Sequence, residues 1–290
     1  MNLLFLTFGP NIKNHYQANF CILSFLCRKE EQHTVHVYTD HPEFYQHLSD
    51  HVKVVTLTKD LLQEWRGEKN YLFRIKIKAL EHFVLQHGQV PVVYLDSDTF
   101  LYRDKLDFEQ LLSQGTALMH EEEGKLSEQK SKTVVRMWNR VKGRTFARIT
   151  ITEDHTMWNS GVIGIPAQRN LEAIRLALQI CDEMLEAQVT SFMLEQYAVS
   201  IALDKVYGLQ PASHWVGHYW AAKEIWNAAI ADFFLESQLK AYTPQQDIER
   251  MRRFDFTKLP VRNKLKNTKI RLITLLDRIF PAKEVLYVSQ

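Results

Sequence analysis

Apolar residues in this 290-residue chain follow two alternating patterns, and that alternation is the strongest constraint on its fold. Short runs rich in apolar and β-branched residues are typical of buried strands, and they occur at 3–7, 34–39, 52–57, 92–95, 116–120 and 162–165. Longer segments with apolar residues at helical spacing lie at 14–28, 71–87, 170–188 and 191–204. This order predicts an α/β fold, in which helices flank an open and mostly parallel sheet.

Composition narrows the class of protein. Hydrophobic residues make up 46% and charged residues 24%, which excludes a disordered or collagen-like chain. The three cysteines, Cys21, Cys27 and Cys181, form no CxxC pair, which favours a reducing compartment. No apolar stretch is long enough and free enough of charge to span a bilayer. We therefore expect a cytoplasmic protein that is either soluble or peripheral on the inner face of the membrane.

The net charge of +2 averages over unequal parts of the chain. Residues 249–283 carry eleven Lys/Arg and three Asp/Glu, a net of +8, and residues 125–148 carry eight and one, a net of +7. The rest of the chain therefore carries −13. Two basic segments on an acidic body indicate an anionic partner.

The segment VVYLDSDTFL, at 92–101, carries the clearest chemical signal. Asp96 and Asp98 follow a buried strand, and residues two apart on an extended backbone face the same side. Two converging carboxylates repel each other unless a cation lies between them. A divalent metal that bridges to a diphosphate satisfies this need. The alternative is that the two aspartates only cap a turn.

YLDSD at 94–98, WNSGVIGI at 158–165 and His218-Tyr219-Trp220 together resemble the GT-A nucleotide-sugar glycosyltransferases, and glycosyltransferase family 8 in particular. The resemblance covers about residues 1–228. It implies that Asp96, Asp98 and His218 bind Mn²⁺ or Mg²⁺ against the donor's diphosphate, with Ser97 in the same donor site. Mixed carboxylate and imidazole ligands favour Mn²⁺.

The late motif departs from the family pattern. The family's glycine is Ala221 here, its proline is Ile225, and its lysine falls one residue early, at Lys223. The resemblance still implies that Lys223 neutralises the diphosphate. His214, by contrast, is interpreted as a histidine packed among aromatic side chains.

Three further residues are candidates for contact with the donor sugar. Asn159 precedes a strand and can hydrogen-bond sugar hydroxyls, although Asn-Ser-Gly is also ordinary turn chemistry. Glu195-Gln196 resembles the Asp-Gln pair that family 8 places beside the donor sugar. The alternative for this pair is a solvated helix face.

The remaining candidates belong to the nucleotide. Arg74 and Lys78 lie on one helix, where the related transferases place a basic residue near the diphosphate. Thr7 and Phe8 end the first strand and Asp40 follows the second, where a nucleoside binds in open α/β sheets. Neither GxGxxG nor GxxxxGK[ST] occurs, which argues against a dinucleotide oxidoreductase and a P-loop kinase.

These patterns predict a metal-dependent glycosyltransferase that moves a hexose from a nucleotide diphosphate sugar, expected to be a UDP-sugar, to a glycan or lipid-linked acceptor. The resemblance suggests retention at the anomeric carbon. The alternatives are a sugar-nucleotide nucleotidyltransferase and a non-catalytic glycan-binding or scaffold protein with a degenerate GT-A domain.

We expect a catalytic domain at 1–230 with an acceptor-side insertion at 125–155, followed by a basic helical extension at 231–290. The amphipathic segment 249–283 suits an anionic membrane surface, and packing of a final helix on the body is the alternative. We expect no nucleic-acid partner, because the body is acidic and carries no recognised binding motif.

Overall fold

A computed structural model describes residues 1–28, 33–103, 107–263 and 267–280. The strands are β1 (Asn2–Thr7), β2 (Thr34–Thr39), β3 (Val52–Thr56), β4 (Val92–Leu95), β5 (Thr99–Leu101), β6 (Ala117–Met119), β7 (Glu122–Lys125), β8 (Thr145–Phe146), β9 (Ile149–Thr150), β10 (Thr156–Trp158), β11 (Val162–Ile165), β12 (Leu209–Pro211) and β13 (Val216–His218). The helices are α1 (Ile12–Leu26), α2 (Lys59–Arg66), α3 (Arg74–His87), α4 (Phe108–Ser113), α5 (Lys132–Val141), α6 (Asn170–Glu186), α7 (Leu194–Val206), α8 (Lys223–Leu239), α9 (Pro244–Arg252) and α10 (Asn267–Ile279).

Seven strands form the central sheet in the order β12-β6-β11-β4-β1-β2-β3. β1 is parallel to β2 and β4, and β2 is parallel to β3. Only β11 runs against both of its neighbours in this sheet, β4 and β6. The predicted fold class is confirmed: the protein is α/β, with a mostly parallel sheet flanked by helices.

The core divides between the two faces of the sheet because successive side chains of a strand point to opposite sides. Leu4 of β1 joins the cluster that packs under α3, α6 and α7. Leu3 and Phe5 join the opposite cluster, under α1, α8 and α9. Strands covered on both faces explain the continuous apolar runs of the sequence.

Most predicted elements are present, with shifted ends. α1 begins two residues before the predicted start, because the side chain of Asn11 accepts a hydrogen bond from the backbone N–H of Lys13 and caps the helix. α3 begins three residues later than predicted, at Arg74, whose N–H bonds to the carbonyl of Tyr71 in a turn.

Residues on either side of position 230 belong to one helix, α8, and Ile230 is buried. Ile248 and Met251 of α9 lie in the same hydrophobic cluster as α1. The functional division of the chain at residue 230 stays a prediction. No helix of the described residues is both long and apolar enough to cross a bilayer.

Candidate active site

Strand pairing brings together the three predicted metal ligands. Asp96 and Asp98 follow β4, and the chain then continues into β5, which pairs antiparallel with β13. In that register Thr99 lies opposite His218, and the N–H of Tyr219 donates to the carbonyl of Asp98. One possible ligand atom from each of Asp96, Asp98 and His218 lies within 4.8 Å of the others.

Asp98 is almost completely buried between two basic side chains. Its Oδ1 lies 3.4 Å from Nε2 of His218, and its Oδ2 lies 2.9 Å from Nζ of Lys223. Burial alone would raise the pKa of this carboxyl, but His218 and Lys223 outweigh burial and hold the pKa below its ordinary value. Asp98 is therefore a carboxylate at neutral pH, as a metal ligand must be.

Lys76 of α3 provides a buried cation beside Asp96. Its Nζ lies 3.1 Å from Asp96 Oδ1 and 3.9 Å from Glu195 Oε1, and it donates to the backbone carbonyl and the hydroxyl of Ser160. Burial lowers the pKa of Lys76, but the two carboxylates outweigh burial and raise it. The hydroxyl of Tyr94 also donates to Asp96 Oδ1, at 2.9 Å.

Glu195 stands on the first turn of α7 and is buried. Loss of solvent raises the pKa of its carboxyl to about 7, although Lys76 opposes the shift. Its Oε2 accepts a hydrogen bond from the Ser160 hydroxyl at 3.2 Å, and its backbone N–H donates to the Tyr71 hydroxyl. These contacts pack Glu195 against Ser160, just before β11, rather than leaving it on a solvated face.

The predicted sugar contacts form one hydrogen-bonded network with His218. Asn159 Oδ1 lies 3.0 Å from His218 Nδ1, and Asn159 Nδ2 donates to Glu123 Oε1 at 3.1 Å. Gln196 Nε2 donates to the other oxygen of Glu123 at 2.9 Å. Gln196 Oε1 accepts from the N–H of Ser160 at 3.4 Å. Asn159 Oδ1 also accepts the backbone N–H of Gly161 at 3.0 Å, so Asn159 makes a turn hydrogen bond and also contacts a predicted metal ligand.

Gly161 allows His218 to approach the backbone. A Cβ at this position would lie 2.4 Å from both Nδ1 and Cε1 of the imidazole. The glycine of the Asn-Ser-Gly sequence is therefore required by the position of His218, a residue distant in sequence.

The predicted nucleotide residues lie at the ends of the neighbouring strands. The Thr7 hydroxyl forms a hydrogen bond with the Tyr45 hydroxyl at 2.6 Å. The side chain of Phe8 is half-buried. Asp40 Oδ1 accepts the N–H of Gly9 at 2.9 Å. Because β1 lies between β2 and β4 and is parallel to both, Thr7 and Asp40 lie at the same carboxyl end of the sheet as the two aspartates. Ser97 points toward Gln17 of α1, whose Oε1 is 3.4 Å from the hydroxyl.

Arg74 and Lys78 lie apart from this cluster. Arg74 makes a two-pronged ion pair with Asp182 of α6, with N···O distances of 2.7 and 2.9 Å. Lys78 pairs with Glu81 on its own helix at 2.5 Å. In this structure the basic residue of α3 that reaches the aspartates is Lys76.

Sequence reasoning missed Lys76 and Glu123. Lys76 carries a usable signal: it lies three residues after Phe73 and four before Leu80, so it falls within the apolar stripe of the helix. A lysine in that position needs a buried anion. Glu123, one of three consecutive glutamates, carries no comparable signal.

A cavity of about 370 Å³ opens beside His218. Its walls are largely aromatic, and polar side chains lie among them; the lining includes Phe100, Tyr102, Trp220, Phe256, His120 and Arg262. Burial lowers the pKa of His120 to about 3, so this imidazole is neutral. Such a cavity suits a ligand with both apolar faces and polar edges.

The residues present fit a divalent cation. Two carboxylates and one imidazole converge, and Gly161 leaves room for the imidazole. Oxygen-rich ligands with one nitrogen suit Mn²⁺ and Mg²⁺ better than a thiophilic metal.

Comparison with known proteins adds a distant structural similarity. No protein-family model matches the sequence, and no curated protein matches it significantly. The structure is similar to a crystal structure of the galactosyltransferase LgtC in complex with donor and acceptor sugar analogues. The TM-score is 0.46, with 13% sequence identity over 73% of each chain. At this distance the similarity does not determine activity or substrate, which must be inferred from the side chains.

Proposed function

We propose that the protein is a metal-dependent glycosyltransferase that uses a nucleotide diphosphate sugar. The observation that carries the proposal is the convergence of Asp96, Asp98 and His218 at the carboxyl ends of parallel strands, where open α/β sheets bind nucleotides. The same three residues carry the resemblance to glycosyltransferase family 8. We assign Mn²⁺ as the preferred metal and UDP as the expected nucleotide.

The reaction breaks the bond between the anomeric carbon and a phosphate oxygen, and its electron pair leaves with the diphosphate. A bound divalent cation supplies Lewis-acid stabilisation of that charge. We assign a second positive charge to Lys223, which is half-exposed at the start of α8 and lies 2.9 Å from Asp98 Oδ2. An acceptor hydroxyl bonds to the anomeric carbon, and its proton passes to the departing diphosphate oxygen. We assign the sugar contacts to Asn159, Glu195 and Gln196, with retention of configuration.

We assign the nucleoside to the strand ends beside this site. Thr7, Phe8 and Asp40 end the two strands that follow β4 along the sheet, and we assign them to the base and ribose. The ion pairs of Arg74 and Lys78 leave no direct support for a role in the diphosphate site. We assign that role to Lys76, whose Nζ lies 3.1 Å from Asp96 Oδ1.

We assign the acceptor saccharide to the cavity beside His218. A sugar ring presents an apolar face that stacks on aromatic side chains, and the lining offers Tyr102, Trp220 and Phe256. Because His218 borders both the cavity and the metal group, an acceptor hydroxyl there would face the donor. We assign the predicted insertion at 125–155 to the acceptor side; its first residue, Lys125, ends β7, which pairs with β10 just before Asn159.

We further propose that the C-terminal basic segment attaches the protein to anionic lipid. In α10 the apolar side chains of Leu272, Leu275, Leu276 and Ile279 are all exposed. Exposed apolar residues on a helix in a segment of net charge +8 suit the interface of an anionic membrane. A lipid-linked acceptor would then lie close to the active site.

Slow donor hydrolysis tests the enzyme class without knowledge of the acceptor. The purified protein with Mn²⁺ is incubated with a panel of UDP-, GDP- and ADP-sugars, and release of nucleoside diphosphate is measured. We expect release from one donor class and none after chelation. Release of pyrophosphate from a nucleoside triphosphate and a sugar phosphate would instead support the nucleotidyltransferase. Inactivity with every donor, together with glycan binding, would support the non-catalytic alternative.

A further inference from the structure

A β-bulge aims Glu123 into the candidate site. In the pairing of β7 with β10, Trp158 lies opposite Glu122 and Met157 lies opposite Gly124. Glu123 is therefore the extra residue of the pair, and bulges of this kind redirect side chains beside active sites. Its half-buried carboxylate accepts the amide N–H groups of both Asn159 and Gln196.

The orientation of the Asn159 amide follows from its neighbours. The backbone N–H of Gly161 can only donate, and it lies 3.0 Å from Asn159 Oδ1. The other end of the amide is then the NH₂ group, which faces Glu123 and needs an acceptor there. The substitution Glu123→Ala would remove that acceptor.

The same oxygen of Asn159 determines the tautomer of His218. Because Asn159 Oδ1 is an acceptor, Nδ1 of the imidazole must carry the proton in their 3.0 Å hydrogen bond. The lone pair of a neutral His218 then lies on Nε2, the atom that faces Asp98. Imidazoles that bind metals are commonly oriented in this way by a partner on the second nitrogen.

We infer that Glu123 is a positioning residue that orients His218 through Asn159 for metal binding. The inference rests on the proposed metal-dependent function and adds to it a residue that touches neither metal nor donor. Glu123 also holds Gln196, but that contact does not lead to His218. The contacts of Glu123 with Asn159 and with Gln196 therefore predict different effects on Mn²⁺ binding when substitutions are combined.

Titration of the full-length protein with Mn²⁺ alone tests this inference. Electron paramagnetic resonance measures the Mn²⁺ that remains free. We expect Glu123→Ala to weaken Mn²⁺ binding by about 10- to 100-fold, as loss of such outer partners typically does. The matched control is Glu122→Ala, which removes the adjacent exposed carboxylate and should leave binding unchanged. Thermal unfolding of each variant reports any general loss of structure.

Double variants separate positioning from a general structural effect. In an Asn159→Ala background, Glu123→Ala should weaken Mn²⁺ binding by no more than about 3-fold further, because the path to His218 is already broken. In a Gln196→Ala background it should keep its full effect.

Additive losses with Asn159→Ala, or equal Mn²⁺ binding by Glu123→Ala and Glu122→Ala, would overturn the inference and leave the proposed function standing. Failure of the unmodified protein to bind Mn²⁺ would remove the metal from the proposed function, and the inference with it.

Discussion

The buried side chain of Lys76 connects three parts of the candidate site. Its ammonium group lies among Asp96, Ser160 and Glu195 and connects α3, the end of β4 and α7. A buried ion pair adds little when it is compared with apolar packing, but removal of one partner leaves an uncompensated charge.

We therefore expect Lys76→Met to lower the free energy of unfolding by about 3 kcal/mol, measured by urea denaturation at pH 7. The matched control is Lys78→Met on the same helix. It should cost less than about 1 kcal/mol, because Glu81 keeps Arg175 as a second partner. Equal losses in the two variants would show that Lys76 is not the cation that holds these elements together.

His36 makes the free energy of unfolding depend on pH. It lies in β2 against Phe83 and His87, and burial, aided by His87 and Lys53, lowers its pKa from 6.5 to about 4. Between these values the unfolded chain binds a proton that the folded protein does not. The contribution of His36 is therefore complete above pH 6.5 and is lost as the pH falls toward 4.

His36→Leu removes this proton uptake. Its free energy of unfolding should fall less steeply between pH 6.5 and 4 than that of the unmodified protein, by up to about 1.4 kcal/mol per pH unit. Denaturation curves at half-unit steps of pH provide the comparison. Parallel pH profiles would contradict the buried neutral state assigned to His36.

At the scale of elements, the C-terminal basic segment, residues 249–283, contains a part that packs on the body and a helix with exposed apolar side chains. α9 packs on α1 through Ile248 and Met251, and residues 254–262 cover the cavity, where Phe256 stacks on Phe100. The Trp226 indole donates to the carbonyl of Pro260 and holds this stretch to α8. α10 follows with its described apolar side chains exposed.

A stop after residue 263 separates these parts. The shortened protein should keep its thermal stability but bind vesicles of phosphatidylglycerol at least about 10-fold more weakly, since each Lys or Arg near anionic lipid contributes about 1 kcal/mol. Cosedimentation measures this, and phosphatidylcholine vesicles serve as the control. Undiminished binding by the shortened protein would contradict attachment through α10.

The existence of the main strands and helices follows from local sequence, but the contacts that build the site do not. Val92–Leu95 and the two aspartates after it were predictable because apolar pattern and motif coincide. The convergence of His218 on Asp98 depends on the β5–β13 pairing across more than 100 residues. The place of Lys76 in the apolar stripe of α3 indicates a buried anion but not which one, and Glu123 joins the site through a bulge that no local pattern encodes.

At the scale of the molecule, the partition of charge agrees with the arrangement of the parts. The acidic remainder of the chain contains the carboxylates that converge after β4, and the +8 segment includes α10, whose described apolar side chains are exposed. A cation site and an anionic surface are the two partners that such a distribution favours. Because β1, β2 and β4 are adjacent and parallel, the residues proposed for nucleotide binding and for metal binding lie at the same carboxyl end of the sheet.

Calorimetric titration of UDP into the protein tests the central proposal most directly. With Mn²⁺ present we expect saturable binding, which chelation abolishes and Asp98→Asn weakens at least about 10-fold, while the exposed control Asp232→Asn binds like the unmodified protein. Binding of UDP that is indifferent to both Mn²⁺ and Asp98, or no binding at all, would contradict a metal–diphosphate site at Asp96, Asp98 and His218.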